Sequence, residues 1–91
     1  MPTKQKPPKP YRLGLPHRMI RDPWITGTDI KVWCGIAETC LDLETNIGSV
    51  ELSQRIGVSY WTTHRAIKRL TLAGYLAPVE GGSKDLRRIV P

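Results

Sequence analysis

The side chains best suited to chemistry lie in residues 59–70, where apolar and polar positions repeat at helical spacing. One face of the predicted helix is suited to burial, and it comprises Thr63, Ala66, Ile67 and Leu70. The opposite face carries cations, an imidazole and two large aromatic rings, supplied by Tyr60, Trp61, His64, Arg65 and Lys68. A planar guanidinium donates two hydrogen bonds at once, so this face is suited to a partner that offers paired acceptors.

The segment before this helix must position it, and its sequence predicts a shorter helix followed by a sharp turn. Ser49 is the expected N-cap of the shorter helix, in which Leu52 and Ile56 repeat at helical spacing. Gly57 can adopt the left-handed backbone conformation that a sharp turn requires, and Ser59 is a favourable N-cap for the next helix. The sequence therefore predicts two helices joined by a short turn.

Charge is segregated along the chain, and the segregation favours a polyanionic partner. Residues 1–21 contain six basic and no acidic side chains, residues 22–51 contain one basic and six acidic ones, and residues 52–91 contain seven basic and two acidic ones. A basic C-terminal half combined with a basic arm is the pattern expected of a polyanion-binding protein. A generally soluble basic protein is the alternative that composition leaves open.

The sequence lacks the signatures of membrane, secreted and catalytic proteins. No run approaches the roughly 18 apolar residues of a membrane span, and no signal-peptide core is present, so a cytoplasmic protein is expected. No Gly-rich phosphate loop, nucleophile elbow or paired-His motif occurs, so we expect no enzyme, cofactor, metal or small-molecule substrate. Cys34 and Cys40 are predicted as buried thiols on one helix, too far apart along it for a disulfide.

Residues 49–76 resemble the winged helix-turn-helix domains of bacterial, phage and plasmid transcription repressors and replication initiators, and the similarity extends over residues 25–90. The matching pattern comprises Leu52, Gly57, Val58, Ser59, Thr62, Arg65, Leu70, Gly74 and Leu76. Two positions depart from it, because Ser53 replaces a usual Ala and Thr63 a usual Val. The hydroxyl of Thr63 is expected to bond the backbone carbonyl one turn back.

The resemblance implies an α+β fold that is mainly α, a three-helix winged helix-turn-helix with a C-terminal two-stranded wing. Residues 1–16 are expected to form a basic, Pro-rich arm and residues 17–91 the domain, which begins with a mostly extended lead-in. The first helix is predicted at residues 27–43, with Thr26 as N-cap and Asp29 as its capping-box partner. Its expected core face consists of Ile30, Trp33, Ala37, Cys40 and Leu41.

The wing is predicted from two runs of strand-forming residues at the C-terminus. Residues 75–79 and 86–90 are the expected strands, and Gly81 and Gly82 supply positive backbone angles to the loop between them. Gly74 is expected to end the preceding helix. Ile47 is the residue expected to add a short strand to the wing.

The family's DNA contacts, transferred to this sequence, imply an interface on the helix 59–70 and on the wing. The implied contacts are Ser59, Tyr60, Trp61, Thr62, His64, Arg65, Lys68, Arg69, Lys84, Arg87 and Arg88. The basic arm adds Lys4, Lys6, Lys9 and Arg12, which would lie on phosphates or in a minor groove. Three alternatives stay open: Tyr60 and Trp61 as core residues or a partner site, the wing as a solvated edge, and the arm as a solvated tail.

The function that the resemblance implies is sequence-specific binding of double-stranded DNA, as a transcriptional regulator such as a repressor. A homodimer is expected, because doubling a short half-site multiplies affinity and specificity. Two alternatives remain, namely a plasmid or phage protein of DNA replication or segregation, and a winged-helix module that binds other proteins.

Overall fold

The computed structural model of the chain describes residues 14–82 and 85–90. Within these residues the chain forms an α+β fold, mainly helical, with four helices and one three-stranded antiparallel sheet. The helices are α1 (His17–Ile20), α2 (Gly27–Ala37), α3 (Ser49–Ile56) and α4 (Tyr60–Leu72), and the strands are β1 (Glu44–Thr45), β2 (Leu76–Pro78) and β3 (Arg87–Ile89). The prediction of a mainly α, α+β fold is confirmed, with one short helix more than was predicted.

Helix α2 begins as predicted, with a capping box. The hydroxyl of Thr26 accepts a hydrogen bond from the Asp29 amide, and the Asp29 carboxylate accepts one from the Thr26 amide. These two bonds satisfy backbone donors that have no partner inside the helix. The start of α2 is therefore fixed by the local sequence.

The end of α2 differs from the prediction, because the helix stops at Ala37 and not at residue 43. The Thr39 hydroxyl donates to the Ile36 carbonyl over 2.8 Å, and a tight turn follows in which Asp42 and Leu43 have φ values of 52° and 71°. Residues other than glycine rarely adopt such angles, and no helix continues through them. The expectation that Leu41 belongs to the core is wrong, since its side chain is 69% exposed.

Helices α3 and α4 meet at the predicted turn. Gly57 has φ 71° and ψ 32°, the left-handed conformation that a glycine adopts without steric cost, and the Ser59 hydroxyl accepts a hydrogen bond from the Thr62 amide. Ser49 is not the N-cap of α3; Gly48 takes that position without a side-chain bond, and Ser49 is the first helical residue.

The helices pack around a common core, and α2 and α3 approach each other closely at Gly35. A Cβ atom at that position would lie 2.6 Å from Cγ2 of Ile56 and 3.0 Å from Cδ1 of Leu52. The predicted face of α4 is also buried in this core, and it comprises Thr63, Ala66, Ile67 and Leu70. The expected bond of the Thr63 hydroxyl is wrong, because this buried oxygen has no hydrogen-bond partner.

The sheet has the order β1-β3-β2, so β3 lies in the centre and pairs with both neighbours. Strands β2 and β3 lie inside the predicted ranges, and Gly74 follows α4 with φ 87°, as expected for the residue that ends it. Of the two loop glycines, Gly81 has a positive φ, but Gly82 does not. The third strand is displaced from the prediction: Glu44 and Thr45 pair with β3, whereas Ile47 is a buried core residue.

The lead-in is not extended throughout, because His17–Ile20 forms α1 and buries Met19 in the core. Asp22 then joins this segment to the end of α4. One carboxylate oxygen accepts the Trp24 amide at 2.9 Å, and the other accepts the Tyr75 hydroxyl at 2.8 Å. Arg18 lies 4.6 Å from the centre of the Tyr75 ring. Burial, together with the hydrogen bond and charge of Asp22, raises the pKa of Tyr75.

Candidate nucleic-acid interface

The first turns of α4 expose a cluster of three rings. Tyr60 and Trp61 meet edge to face with centroids 5.1 Å apart, and His64 stacks on Tyr60 at 5.9 Å. Tyr60 is 39% exposed and Trp61 is 65% exposed, so neither ring belongs to the core. The cluster thus presents aromatic edges and faces to solvent beside the amides that open the helix.

The hydroxyls of Ser59 and Thr62, at the start of α4, are hydrogen-bonded to each other. Ser59 donates to the Thr62 hydroxyl over 2.9 Å while it accepts the Thr62 amide over 3.2 Å. Both residues remain exposed. Their oxygens are thereby held beside the positive end of the helix dipole, where an anion is favoured.

Arg65 and Lys68 extend the exposed face of α4 by one turn. Both side chains are exposed, and α4 itself contains no acidic residue. Within residues 14–82 and 85–90, neither cation has an ion pair or a side-chain hydrogen bond. No described residue therefore neutralises their charges.

Arg69, which the resemblance placed in the interface, is occupied inside the fold. Its Nε and Nη2 atoms donate to the two carboxylate oxygens of Asp29 over 2.7 and 3.0 Å. Burial raises the pKa of Asp29, but the hydrogen bonds from Arg69 and the Thr26 amide together outweigh it and leave that pKa below its usual value. This bidentate pair joins α4 to the start of α2, so the geometry favours a structural role for Arg69.

The Asp29–Arg69 pair was not predicted from the sequence, because the pattern around Asp29 indicates a capping box and the resemblance places Arg69 in the DNA interface. Asp29 was recognised as a capping-box residue, and one carboxylate accepts both the capping bond and the guanidinium. The two residues are 40 positions apart, and no local spacing rule connects them.

Arg87 and Arg88 of β3 differ from each other. Arg87 is largely buried; it donates to the Ile47 and Asp85 carbonyls over 2.9 and 3.2 Å, and burial lowers its pKa. Arg88 points outward with 55% of its side chain exposed, at 3.5 Å from the Glu44 carboxylate. The expectation that one of the adjacent arginines faces solvent is confirmed, and that residue is Arg88.

A cavity of about 640 Å³ lies beside the C-terminal half of α4. Trp24 and Leu72 border it and are 76% and 81% exposed, and Arg65 and Lys68 contribute to the same wall. Sequence reasoning did not assign Trp24 to any site. An aromatic residue directly after the Asp22-Pro23 turn was the available signal, because that turn holds it outside the helices.

The prediction that both cysteines are buried is wrong. Cys40 is buried and follows α2, whereas Cys34 lies on α2 and is exposed. Although Cys34 is exposed, partial desolvation and the nearby Glu38 raise the pKa of its thiol. In the part of the chain that the structure describes, no group of three or more His, Cys, Asp or Glu side chains is arranged to hold a metal ion.

Five of the predicted contacts, Lys4, Lys6, Lys9, Arg12 and Lys84, lie outside the described residues. None of the helices in residues 14–82 and 85–90 has the length and apolar composition needed to cross a membrane. Comparisons with protein-family models, with curated proteins and with solved structures found no match. The interpretation of this surface therefore depends on its own residues.

Proposed function

We propose that this protein is a sequence-specific, double-stranded DNA-binding protein of the winged helix-turn-helix type that regulates transcription. The observation that carries the proposal is the exposed face of α4. It presents Arg65 and Lys68, which have no ion pair among the described residues, directly after the cluster of Tyr60, Trp61 and His64. A helix with this face can approach a polyanion without meeting a carboxylate of its own.

In this proposal α4 lies in the major groove, which is about 12 Å wide and admits a helix. Side chains of the first turns then reach base edges, and those further along meet the backbone. Arg65 donates two guanidinium N–H groups to the two acceptors of a guanine, and Lys68 neutralises a phosphate. Tyr60 and Trp61 pack on thymine methyl groups or sugars.

The hairpin and the arm have supporting roles in the proposal. Arg88, outward-facing on β3, is positioned to contact a phosphate if it exchanges Glu44 for the nucleic acid. Lys84 and the basic arm would add sequence-independent affinity. The protein would act in the cytoplasm as a homodimer, without cofactor or catalytic activity.

Selection from a pool of random duplexes at several salt concentrations tests the proposal. We expect a recovered sequence motif and an affinity that falls with salt, with a slope of about −0.9 for each phosphate contact. Arg65→Ala should lower affinity about 5- to 150-fold, equivalent to about 1–3 kcal/mol, and relax specificity at one base pair. Lys31→Ala is the matched control, because Lys31 is exposed on α2 and makes the same change of charge away from α4.

The outcomes separate the proposal from its two alternatives. Steep salt dependence without a motif would indicate an architectural, replication or segregation role. No retention at low salt would contradict DNA binding altogether. In that case the exposed rings of Tyr60 and Trp61 favour a protein-binding module, since clustered exposed aromatic side chains mark interaction sites.

A further inference from the structure

We propose that copies of this chain associate head to tail, the turn after α2 of one copy inserting into the cavity between Trp24 and Leu72 of the next. The inference names the contact between copies that the proposed function leaves open. It depends on two surfaces, of which the first shares Arg65 and Lys68 with the exposed face of α4. One is an apolar cavity with a basic wall, and the other is an apolar knob with acidic neighbours.

The receiving surface is the cavity of about 640 Å³, in which Ala73 lies beside the exposed Trp24 and Leu72. Its wall also contains Arg65 and Lys68, which have no partner in the described part of the chain. Asp22 is the acidic residue of the lining, and both of its oxygens already accept hydrogen bonds. The cavity therefore suits an apolar side chain accompanied by carboxylates.

The inserting surface is the turn formed by residues 41–44. Two backbone hydrogen bonds between Leu41 and Glu44, of 2.8 and 3.0 Å, close the turn. The left-handed angles of Asp42 and Leu43 resemble those of a tight hairpin turn, in which Asp is favoured at the first central position and Leu43 stands where glycine is usual. Leu41 is held outside the core at 69% exposure by this turn.

Carboxylates accompany Leu41 on this turn. Glu38 and Asp42 are exposed, and neither is paired with a cation among residues 14–82 and 85–90. An apolar side chain with acidic neighbours matches an apolar cavity with a basic wall in both polarity and sign of charge. That match selects a second copy as the occupant of the cavity.

The two surfaces lie at opposite ends of α2, so one copy cannot satisfy itself. Trp24 precedes the helix and Leu41 follows it, and the 11 residues of α2 span about 16 Å. A contact between two different surfaces is heterologous, and it leaves one unfilled cavity and one free turn at the ends of every assembly that does not close into a ring. An assembly that stays open can therefore extend beyond the homodimer of the proposed function.

The contact is small, so free copies should associate weakly. One turn in one cavity buries less than the roughly 1,200 Å² of stable complexes. Because Arg65 and Lys68 belong both to the cavity wall and to the proposed DNA-binding face, association between copies competes with DNA binding.

Sedimentation of the protein without DNA, up to about 1 mM, tests a contact of this low affinity. We expect the average mass to rise with concentration and to pass that of a dimer. Leu41→Asp and Leu72→Asp should each weaken association at least tenfold. Val50→Asp is the matched control, since Val50 is a 58% exposed apolar residue on α3, and it should associate like the unmodified protein.

Mixing the two variants identifies the geometry. Leu41→Asp retains an intact cavity and Leu72→Asp retains an intact turn, so an equimolar mixture should form a 1:1 dimer and stop there. Circular dichroism should be unchanged in both, because both positions are on the surface. A monomeric wild type at the highest concentration would overturn the proposal, and so would variants that associate normally.

Loss of association in Leu72→Asp alone would also overturn it, because the occupant would then be something other than the Leu41 turn. Reversal of charge gives an independent readout. Glu38→Lys and Lys68→Glu should each associate poorly alone and recover association when mixed, since each then faces an opposite charge. No DNA is present in these measurements, so a failure of the contact is distinguishable from a failure of DNA binding.

Discussion

Helix α4 and strand β3 both carry the basic residues typical of a nucleic-acid interface, but the fold uses them differently. On α4, Arg65 and Lys68 have no partner in the described chain, whereas Arg69 is held by the buried Asp29. On β3, Arg87 is bound to backbone carbonyls and Arg88 lies near Glu44. Proximity in sequence thus says little about whether a cation is free.

The difference teaches that an internal acceptor decides which cations are available. Arg69 lies one residue after Lys68, but its side chain is directed toward the start of α2. There the carboxylate of Asp29 both caps the helix and accepts the guanidinium. A basic run read from sequence therefore overestimates the charge that a partner meets. Substitution of a cation that is bonded inside the fold should lower stability, and substitution of an exposed cation should lower binding. Comparing the two kinds of variant tests this difference.

The largest loss of stability is expected for Arg69→Met, because it leaves the carboxylate of Asp29 buried without its cation. Breaking a fully buried pair costs about 3–5 kcal/mol, and the partial exposure of Arg69 reduces the expectation to about 2 kcal/mol. Urea denaturation measures this change. Adding Asp29→Asn should recover part of the loss, and no recovery would contradict the role of the buried charge.

The same pair makes stability depend on acid. The pKa of Asp29 is lowered in the folded protein, so the carboxylate contributes stability above its unfolded value near 3.8 and loses it as the pH falls through the folded value. In Arg69→Met burial acts without the guanidinium and penalises the charged form. The difference between variant and wild type should therefore shrink between pH 7 and pH 3, and a constant difference would sink this explanation.

Arg87→Met is expected to have the next largest effect, about 1–2 kcal/mol of stability, because the Ile47 and Asp85 carbonyls lose their donor. The DNA affinity of the folded fraction should stay within about twofold, because Arg87 is largely buried. Arg65→Ala should lower that affinity more, because it removes a proposed electrostatic contact with DNA. Thermal unfolding and fluorescence anisotropy measure the two quantities. An affinity loss without a stability loss would place Arg87 in the interface.

Thr63→Val should stabilise the protein by about 1 kcal/mol, because it removes a buried hydroxyl that has no hydrogen-bond partner and retains its branched shape. DNA affinity should not change, since the buried face of α4 meets only the core. This variant separates stability from binding on one helix. Destabilisation, measured by urea denaturation, would indicate that the hydroxyl has a partner in solution.

The smallest effect on stability is expected for Arg88→Ala, because its ion pair with Glu44 is exposed and measures 3.5 Å. Such pairs contribute about 0–1 kcal/mol. If β3 supports DNA binding, the variant should lower affinity and reduce the salt slope by about 0.9, the share of one phosphate. Glu44→Ala is the opposite control, since it frees Arg88 and should raise affinity.

Local chemistry made much of this fold predictable. The capping box at Thr26, the left-handed Gly57 and the cap at Ser59 each depend on neighbours within three residues, and all three are confirmed. The buried face of α4 followed from helical spacing alone. These features need no knowledge of the rest of the chain.

The errors concern contacts between distant parts of the chain. Helical spacing continues past Ala37, but the pairing of Glu44 with Arg88 draws the chain into a strand and a tight turn. The bonds of Arg69 and Arg87 each connect residues 40 positions apart. Such partners are fixed by packing, which explains why the helix that carries the candidate interface was easier to predict than the cations that stay exposed on it.

Gly35 has a consequence for any survey of tolerated substitutions. It lies in the interior of α2, exposes no functional group, and has no room for a methyl group beside Ile56 and Leu52. A mutational scan scored only by growth or reporter output would rank this position with the residues that touch a ligand. Measuring protein abundance in the same scan would separate the two, because variants at Gly35 should disappear from the cell, whereas under the proposed function those at Arg65 should accumulate as folded but inactive protein.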